Sequence, residues 1–585
     1  MKKTDKNTVL AILLIGLILV MTPSYLRWLN PPPPVSPEAD NHFFGVDSVL
    51  TPKFRSFDSD AAIYDPVITT LPEEAELIDT VEEMIVSIET PLYSAGLSSR
   101  GGGSIISWVL KNYSGPDKNP AKLLSSYKGG NLGIRFVNVN RDTVDLSKIN
   151  WTPSPENQSY ISLDYGQSAE ISFTFRLPNG FNIRKSFRFN GDGYDFSLDV
   201  DASALSGSTI NNRYTLSWDT PLLSTEKYLV DEMQYARALA LLGDDVEELD
   251  AVVNKVEREY YDGNVSWAAT RTKYFTAAII PETMPANRVM LKSIGKNTRD
   301  EELYKSFAVS LDIPISGQYA IGSHRFTIYI GPLSYDLLKS YGFELEKMMN
   351  FGWGFIRPIS KAVLWSFTKL HAFIPNYGIV IILFSILVKI LVYPLTHKSF
   401  VSMKKMQDLQ PVIAELKEKY KDDQPTMQKK QMQLFKEKGV NPLGGCLPML
   451  LQMPLLFALF TVFRSTIELR GAEFVWWITD LSSQDTLFTL PFALPFYGAN
   501  VNFLPIFMGF TMYLQQKYSG QSTMNQQQKF MGYFMPIFLV LFFNTFPSGL
   551  NLYYSLFNIF SVIQTKYLSD GIFGKKKQAE DKTDN

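Results

Sequence analysis

Cysteine occurs once in the 585 residues, at Cys446, so no internal disulfide can form. It stands beside Gly444 and Gly445 at the edge of an apolar segment and reads as a small packing residue. Histidine occurs four times, at His42, His324, His371 and His397, too scattered for a metal-ligand spacing. A marked excess of one sign of charge is also missing: 56 basic against 58 acidic residues leave a net value of −2, which gives no basis for a nucleic-acid ligand. No H-E-x-x-H or G-x-S-x-G signature is present. Arg100-Gly101-Gly102-Gly103-Ser104 lacks the Gly-Lys-Ser/Thr that completes a phosphate loop, and reads as a connection between strands. The sequence therefore assigns no catalytic residue, no metal and no cofactor.

What is present falls into two materials. The apolar residues concentrate in the first two dozen positions and again after Phe373. Residues 1–29 carry Lys2, Lys3 and Lys6 before an apolar run, and the absence of a good small-residue cleavage site favours a retained transmembrane anchor over a cleaved signal. Residues 30–80, with Pro31 to Pro34 and scattered acids, read as an extended linker. Residues 81–340 have the texture of short strands, as in the alternation Ile171-Ser172-Phe173-Thr174-Phe175-Arg176, with Asn190-Gly191-Asp192-Gly193 as turn chemistry. This predicts a large all-β sandwich domain. Residues 341–374 are apolar but interrupted by Arg357, Lys361 and Lys369, which predicts an amphipathic helix lying in the membrane interface.

Residues 375–568 contain five apolar segments, at 377–395, 443–463, 503–515, 532–546 and 549–567. With the N-terminal anchor they predict a polytopic α-helical membrane domain of six transmembrane helices. The third and fourth are too short to cross a full hydrocarbon layer of about 30 Å at 1.5 Å per residue. The loop 396–441 holds ten lysines against six acids, and Lys566 and Lys575 to Lys577 mark the tail 569–585. The positive-inside rule then puts both termini in the cytoplasm and residues 30–374 outside it.

Lys389 lies inside the apolar run 379–393, where a lysine at mid-membrane costs about 2.5–3.5 kcal/mol. Either it snorkels to the nearer interface, or it occupies a wet cavity between helices. Ser385 one turn away, Gln452 in the next segment, and Asn551, Tyr553, Tyr554 and Asn558 in the last offer polar company. The loop 396–441 reads as a helical hairpin with an apolar stripe that includes Met403, Met406, Leu409, Met427 and Met432. Such a stripe is either the seam between two helices or a surface for varied apolar clients.

The ordered series Asn376-Tyr377-Gly378, Tyr393-Pro394-Leu395-Thr396, Leu409-Gln410-Pro411, Asn441-Pro442-Leu443-Gly444-Gly445-Cys446, Gln452-Met453-Pro454 and Phe546-Pro547-Ser548-Gly549-Leu550-Asn551 resembles the YidC family of membrane protein insertases. The resemblance covers about 341–567, and the strand-rich region is similar to the large periplasmic domain of Gram-negative members. It implies an inner-membrane protein, not an enzyme, that inserts and helps fold nascent membrane proteins into the bilayer through a hydrophilic groove, alone or with the Sec translocon. In that reading Lys389 stands where members usually carry arginine, keeping the charge and losing the planar fork. The short, mixed tail makes a ribosome a weaker expectation than the translocon. Two rivals remain: a secondary transporter with a solute site at Lys389, and a sugar-acting enzyme, since the sandwich also resembles sugar-mutarotase folds.

Overall fold

The computed structural model describes residues 81–580 apart from 126–129, 179, 298–302, 316–322, 353, 422, 441–446, 495–496 and 519–525. The expected anchor 1–29, the linker 30–80 and Cys446 lie outside the described residues.

Alternating apolar residues set the register of the strand-rich region. In Asn182–Asn190 every second side chain is buried, and the strand pairs antiparallel with Ser168–Arg176 on one side and Asp195–Asp201 on the other. Leu198 therefore faces Phe187, and Ser323–Pro332 and Phe275–Pro281 extend the same sheet. That sheet has 14 strands among the described residues. A second sheet has five, from Pro120–Ser125 through Ser104–Ser114, Tyr93–Ser98 and Ile85–Glu89 to Tyr160–Ser162, the last pairing parallel. The two share one apolar core: Tyr93 stacks on Trp108 at 4.0 Å, and Trp108 lies 5.9 Å from Phe196 of the larger sheet. The turn at 190–193 forms as its chemistry dictates, with Asn190 Oδ1 accepting from the amides of Asp192 and Gly193.

The triglycine segment joins Tyr93–Ser98 to Ser104–Ser114. Gly102 and Gly103 have φ of +68° and +93°, and a Cβ on either would strike the Trp151 or the Phe187 ring. Buried Lys185 holds the segment by donating to the carbonyls of Gly101 (2.9 Å) and Leu132 (2.7 Å). Burial pushes its ammonium down to about 7.

The helices are α1 (Leu229–Met233), α2 (Tyr335–Ser340), α3 (Arg357–His371), α4 (Tyr377–Asp408), α5 (Gln410–Lys419), α6 (Gln424–Glu437), α7 (Leu447–Ser465), α8 (Phe503–Tyr518), α9 (Gln526–Phe543) and α10 (Ser548–Glu580). The interfacial helix expected over 341–374 is shorter. Left-handed backbone at Phe343 and Glu344 and the positive φ of Gly342 and Gly352 break its first half, leaving α3 alone. α3 buries Val363, Leu364 and Phe367, and Phe367 meets Phe384 of α4 and Phe463 of α7 edge-on at 4.9 and 5.5 Å.

Among the described residues one helix is long and apolar enough to cross a membrane by length and composition, at Tyr377–Pro394. α8 has 16 residues, α9 opens on the polar run Gln526-Gln527-Gln528-Lys529, and α10 carries Asn551 and Asn558 within its apolar part. The segment between α7 and α8, read from sequence as a loop, contains a two-stranded hairpin, Thr486–Leu494 with Gly498–Asn502.

Candidate functional site: a polar seam between α4 and α10

α4 begins where Asn376 Oδ1 accepts from the amide of Ile379 at 3.1 Å. Gly378 follows because the Phe474 ring lies against it: a Cβ there would stand 1.8 Å from that ring. This fixes the helix against the segment after α7, and the helical pitch then carries Ser385 and Lys389 to the side facing α10.

Lys389 Nζ donates to Ser561 Oγ at 2.6 Å and lies 3.9 Å from the centroid of the Phe557 ring. Ser561 in turn donates to the carbonyl of Phe557 at 2.8 Å. The lysine is thus half-buried and held by a hydroxyl and an aromatic face of the neighbouring helix. Ser385, fully buried, donates back to the carbonyl of Ile381 at 2.7 Å. Tyr553 is buried with its ring 6.2 Å from Phe384 and edge-on to Tyr554 at 5.3 Å. Neither tyrosine hydroxyl has a hydrogen-bond partner among the described residues.

Seven polar residues pointed to the seam from sequence, and the structure divides them: Asn551 instead donates to the carbonyls of Phe543 (3.3 Å) and Phe546 (3.4 Å). Lys389 meets Ser561, while Asn558 faces the other way. Its amide reaches Thr511 Oγ1 (3.2 Å) and the carbonyl of Met508 (3.5 Å), joining α10 to α8. Gln452 is half-buried on α7. Sequence reasoning missed Phe557, Ser561 and Thr511. Ser561 was findable: it stands eight residues after Tyr553 and four after Phe557, on the helical stripe that faces α4.

In the hairpin, Leu409, Ile413, Phe435 and Val440 form a small core with Met406 and Leu434 packed on it. Met427 is buried and Met432 is 51% exposed. The side chain of Met403 lies outside the described residues. Asp423 opens α6 by accepting from the amide of Thr426 at 3.1 Å, ahead of Pro425.

A second polar cluster lies where the segment after α7 meets the strand domain. Arg470 donates to Glu226 Oε1 (2.7 Å) and to the carbonyls of Ser114 (2.6 Å) and Thr225 (3.1 Å). Arg464 pairs with Asp231, which Lys273 also reaches at 2.6 Å. Burial pulls the Asp231 carboxyl up, but Lys273 and Arg464 outweigh it and hold it below the ordinary range. For Glu226 burial wins over Arg470 and pushes the carboxyl up to about 7. The strand domain is thus tied to the helical region by charge as well as by the chain.

Two family models match the chain, one described as the 60Kd inner membrane protein over residues 369–576 and one as the YidC periplasmic domain over residues 85–365. A membrane protein insertase YidC of Chlorobium luteolum is 39% identical over 490 residues, covering 83% of each chain. That of Chlorobium limicola is 36% identical over 568 residues, covering 97% of this chain and 94% of its own. The chain belongs to the YidC family of membrane protein insertases. A crystal structure titled as an active YidC insertase with the first transmembrane domain resolved aligns over 83% of this chain and 95% of its own, at 18% identity and a TM-score of 0.35.

As a YidC-family insertase the protein is an inner-membrane protein with a large β-rich periplasmic domain and a helical C-terminal region. It inserts nascent membrane proteins and is not an enzyme. The relatives lend no support to the transporter reading of Lys389.

Proposed function

We propose that clients enter through the seam between α4 and α10, with Lys389 as its charge. The observation that carries this is the grip of Ser561 and Phe557 on the ammonium. A snorkelling lysine has the headgroup layer as its partner, whereas this one is held by the next helix. A client's short acidic end, drawn part-way in, exchanges water for the ammonium and for the hydroxyls of Tyr553 and Tyr554. The apolar segment that follows leaves sideways into lipid. α8, at 16 residues and about 24 Å, is short against about 30 Å of hydrocarbon and thins the layer to be crossed.

The topology that serves this has six spans, counting residues 1–29, with both termini cytoplasmic and 30–374 periplasmic. The lysine excess of the 396–441 loop supports it. Exposed Met432 makes the cytoplasmic hairpin a capture surface for clients as well as a packed seam. The Sec translocon is the proposed partner for larger clients and the ribosome a weaker one.

The test is client insertion in cells depleted of the native protein, with the level of each variant checked. Lys389→Arg should insert nearly normally. Lys389→Leu should fail for clients with acidic translocated ends and spare neutral ones, and Lys389→Glu should fail more severely. Equal activity of the lysine, leucine and glutamate forms on acidic clients would refute the groove role.

A further inference from the structure

From Thr486 to Gln516 the sequence has no charged side chain. The first part of this stretch is the hairpin Thr486–Leu494 with Gly498–Asn502, and α8 follows at Phe503 without a linker. The base of the hairpin is fixed. Asn544, at the end of α9, donates to the carbonyls of Tyr497 (2.7 Å) and Asn500 (2.8 Å), and Asn502 reaches back to Asn544. Asp485 closes the start of α8 by accepting from the amide of Leu504 at 2.7 Å. The hairpin therefore stands at a set height, at the ends of two apolar helices.

Its side chains do not suit water. Leu487 is 48% exposed, Phe488 56% and Phe492 61%. The register slips at Leu487 and again between Thr489 and Leu494, so strict alternation is lost, and Leu487, Phe488, Pro491, Phe492 and Leu494 are all exposed, which leaves apolar side chains uncovered on both faces. A hairpin built to dock on a protein hides one face and keeps the other polar, but this one is apolar on both. A lone two-stranded hairpin is also marginal in water. Nearby, Trp476 is 87% exposed and stacks on Trp477 at 5.7 Å, and Trp477 meets Phe503, the first residue of α8, edge-on at 5.2 Å. A tryptophan pair level with the end of an apolar helix is the pattern of a membrane–water boundary.

We propose that this hairpin and the Trp476–Trp477 pair form a lipid-binding wedge seated in the boundary layer of the leaflet at the α8 amino end. The occupant is phospholipid, because only a fluid apolar medium covers both faces of one strand without offering charge. The depth is set by the backbone. The outer edges of a two-stranded hairpin leave amide and carbonyl groups unpaired, which hydrocarbon does not tolerate. The wedge therefore lies about 5–10 Å into the headgroup–acyl boundary and no deeper. Naming that leaflet periplasmic rests on the orientation proposed above, whereas contact with lipid does not.

The experiment uses the full chain carrying Cys446→Ser, with single cysteines from Leu487→Cys, Phe488→Cys, Phe492→Cys and Asp192→Cys labelled with an environment-sensitive fluorophore. The proteins are reconstituted in phosphatidylethanolamine–phosphatidylglycerol vesicles containing nitroxide lipids, with the nitroxide near the glycerol or near the chain end. Labels at positions 487, 488 and 492 should be quenched more by the shallow nitroxide than by the deep one, and shielded from aqueous iodide. Asp192, exposed on the strand domain, should show the reverse. Iodide quenching at position 492 equal to that at 192 overturns the proposal. So does shielding of 487 or 488 alone, or shielding that appears only when a client or another protein is added. Insertion activity of each labelled protein, measured in parallel, reports separately on the groove.

Discussion

Replacing Arg470 by alanine tests the charged tie between the strand domain and the helical region, and its cost should depend on pH. Arg470 donates to two backbone carbonyls and to Glu226, with its own side chain only 10% exposed. Losing the carbonyl partners costs about 1–3 kcal/mol each where no water replaces them. Glu226 behaves differently. Its carboxyl sits at about 7 in the docked state against 4.5 when exposed, so the docked state binds the extra proton. The docked state is therefore most favoured below 4.5, loses stability as pH rises to about 7, and is level above that.

Without Arg470 the carboxyl rises further. At pH 7 it simply keeps its proton, and the Glu226 contribution to the mutational cost is only a few tenths of a kcal/mol. Above pH 7 the wild-type curve is flat, while the variant continues to lose about 1.4 kcal/mol per pH unit until its own carboxyl ionises. From pH 7 to pH 9 the Arg470→Ala penalty should therefore grow by up to about 2.7 kcal/mol. The assay is the spin-label distance between Asp192 and Glu473 in the Cys446→Ser background, where a narrow distribution reports docking. Arg470→Ala with Glu226→Gln should lose the pH dependence, and Glu226→Gln alone should be nearly neutral at pH 7. A penalty that is flat or shrinks between pH 7 and 9 would refute the assignment of Glu226 as the titrating group.

Gly378→Ala should destabilise the start of α4 by about 1–3 kcal/mol, because the Phe474 ring must move; Gly378→Ala with Phe474→Ala should recover part of the loss in thermal unfolding. Cysteines at Lys421 and Ser522 should label only from the cytoplasmic side and one at Asn190 only from the periplasm; the reverse at Lys421 would overturn the topology. Deleting residues 399–436 should abolish insertion while leaving the remaining helices in the membrane, and full activity would reduce the hairpin to a connector. Ser561→Ala should weaken insertion of acidic clients several-fold less than Lys389→Leu, since the Phe557 face still holds the ammonium.

Period-2 patterning over Ile171–Arg176 and the turn at 190–193 made the strand domain legible, because each side chain's face follows from its place in the strand. Lys389 was legible because a charge in an apolar run has few destinations. Its partner was not, since Ser561 lies 172 residues away and nothing local marks which helix comes alongside. The tie at Arg470 was hidden for the same reason: nothing local marks Asp231 and Glu226, 233 and 244 residues earlier, as the partners of Arg464 and Arg470. The 486–502 hairpin escaped because its apolar residues do not alternate; a strand with two similar surroundings leaves no period to read.

α4 does not stop at the membrane. Its 32 residues run unbroken from Tyr377 to Asp408, about 48 Å against about 30 Å of hydrocarbon, so roughly 18 Å of the same rod extends into the hairpin. Pro394 lies inside it and supplies no amide to the carbonyl of Ile390, the residue after Lys389. The rod is therefore a lever with its compliant point one turn beyond Lys389. In the mechanism proposed above, a client that pushes on the hairpin does mechanical work on the lysine's grip on Ser561, so that capture outside the bilayer and opening inside it are two ends of one motion.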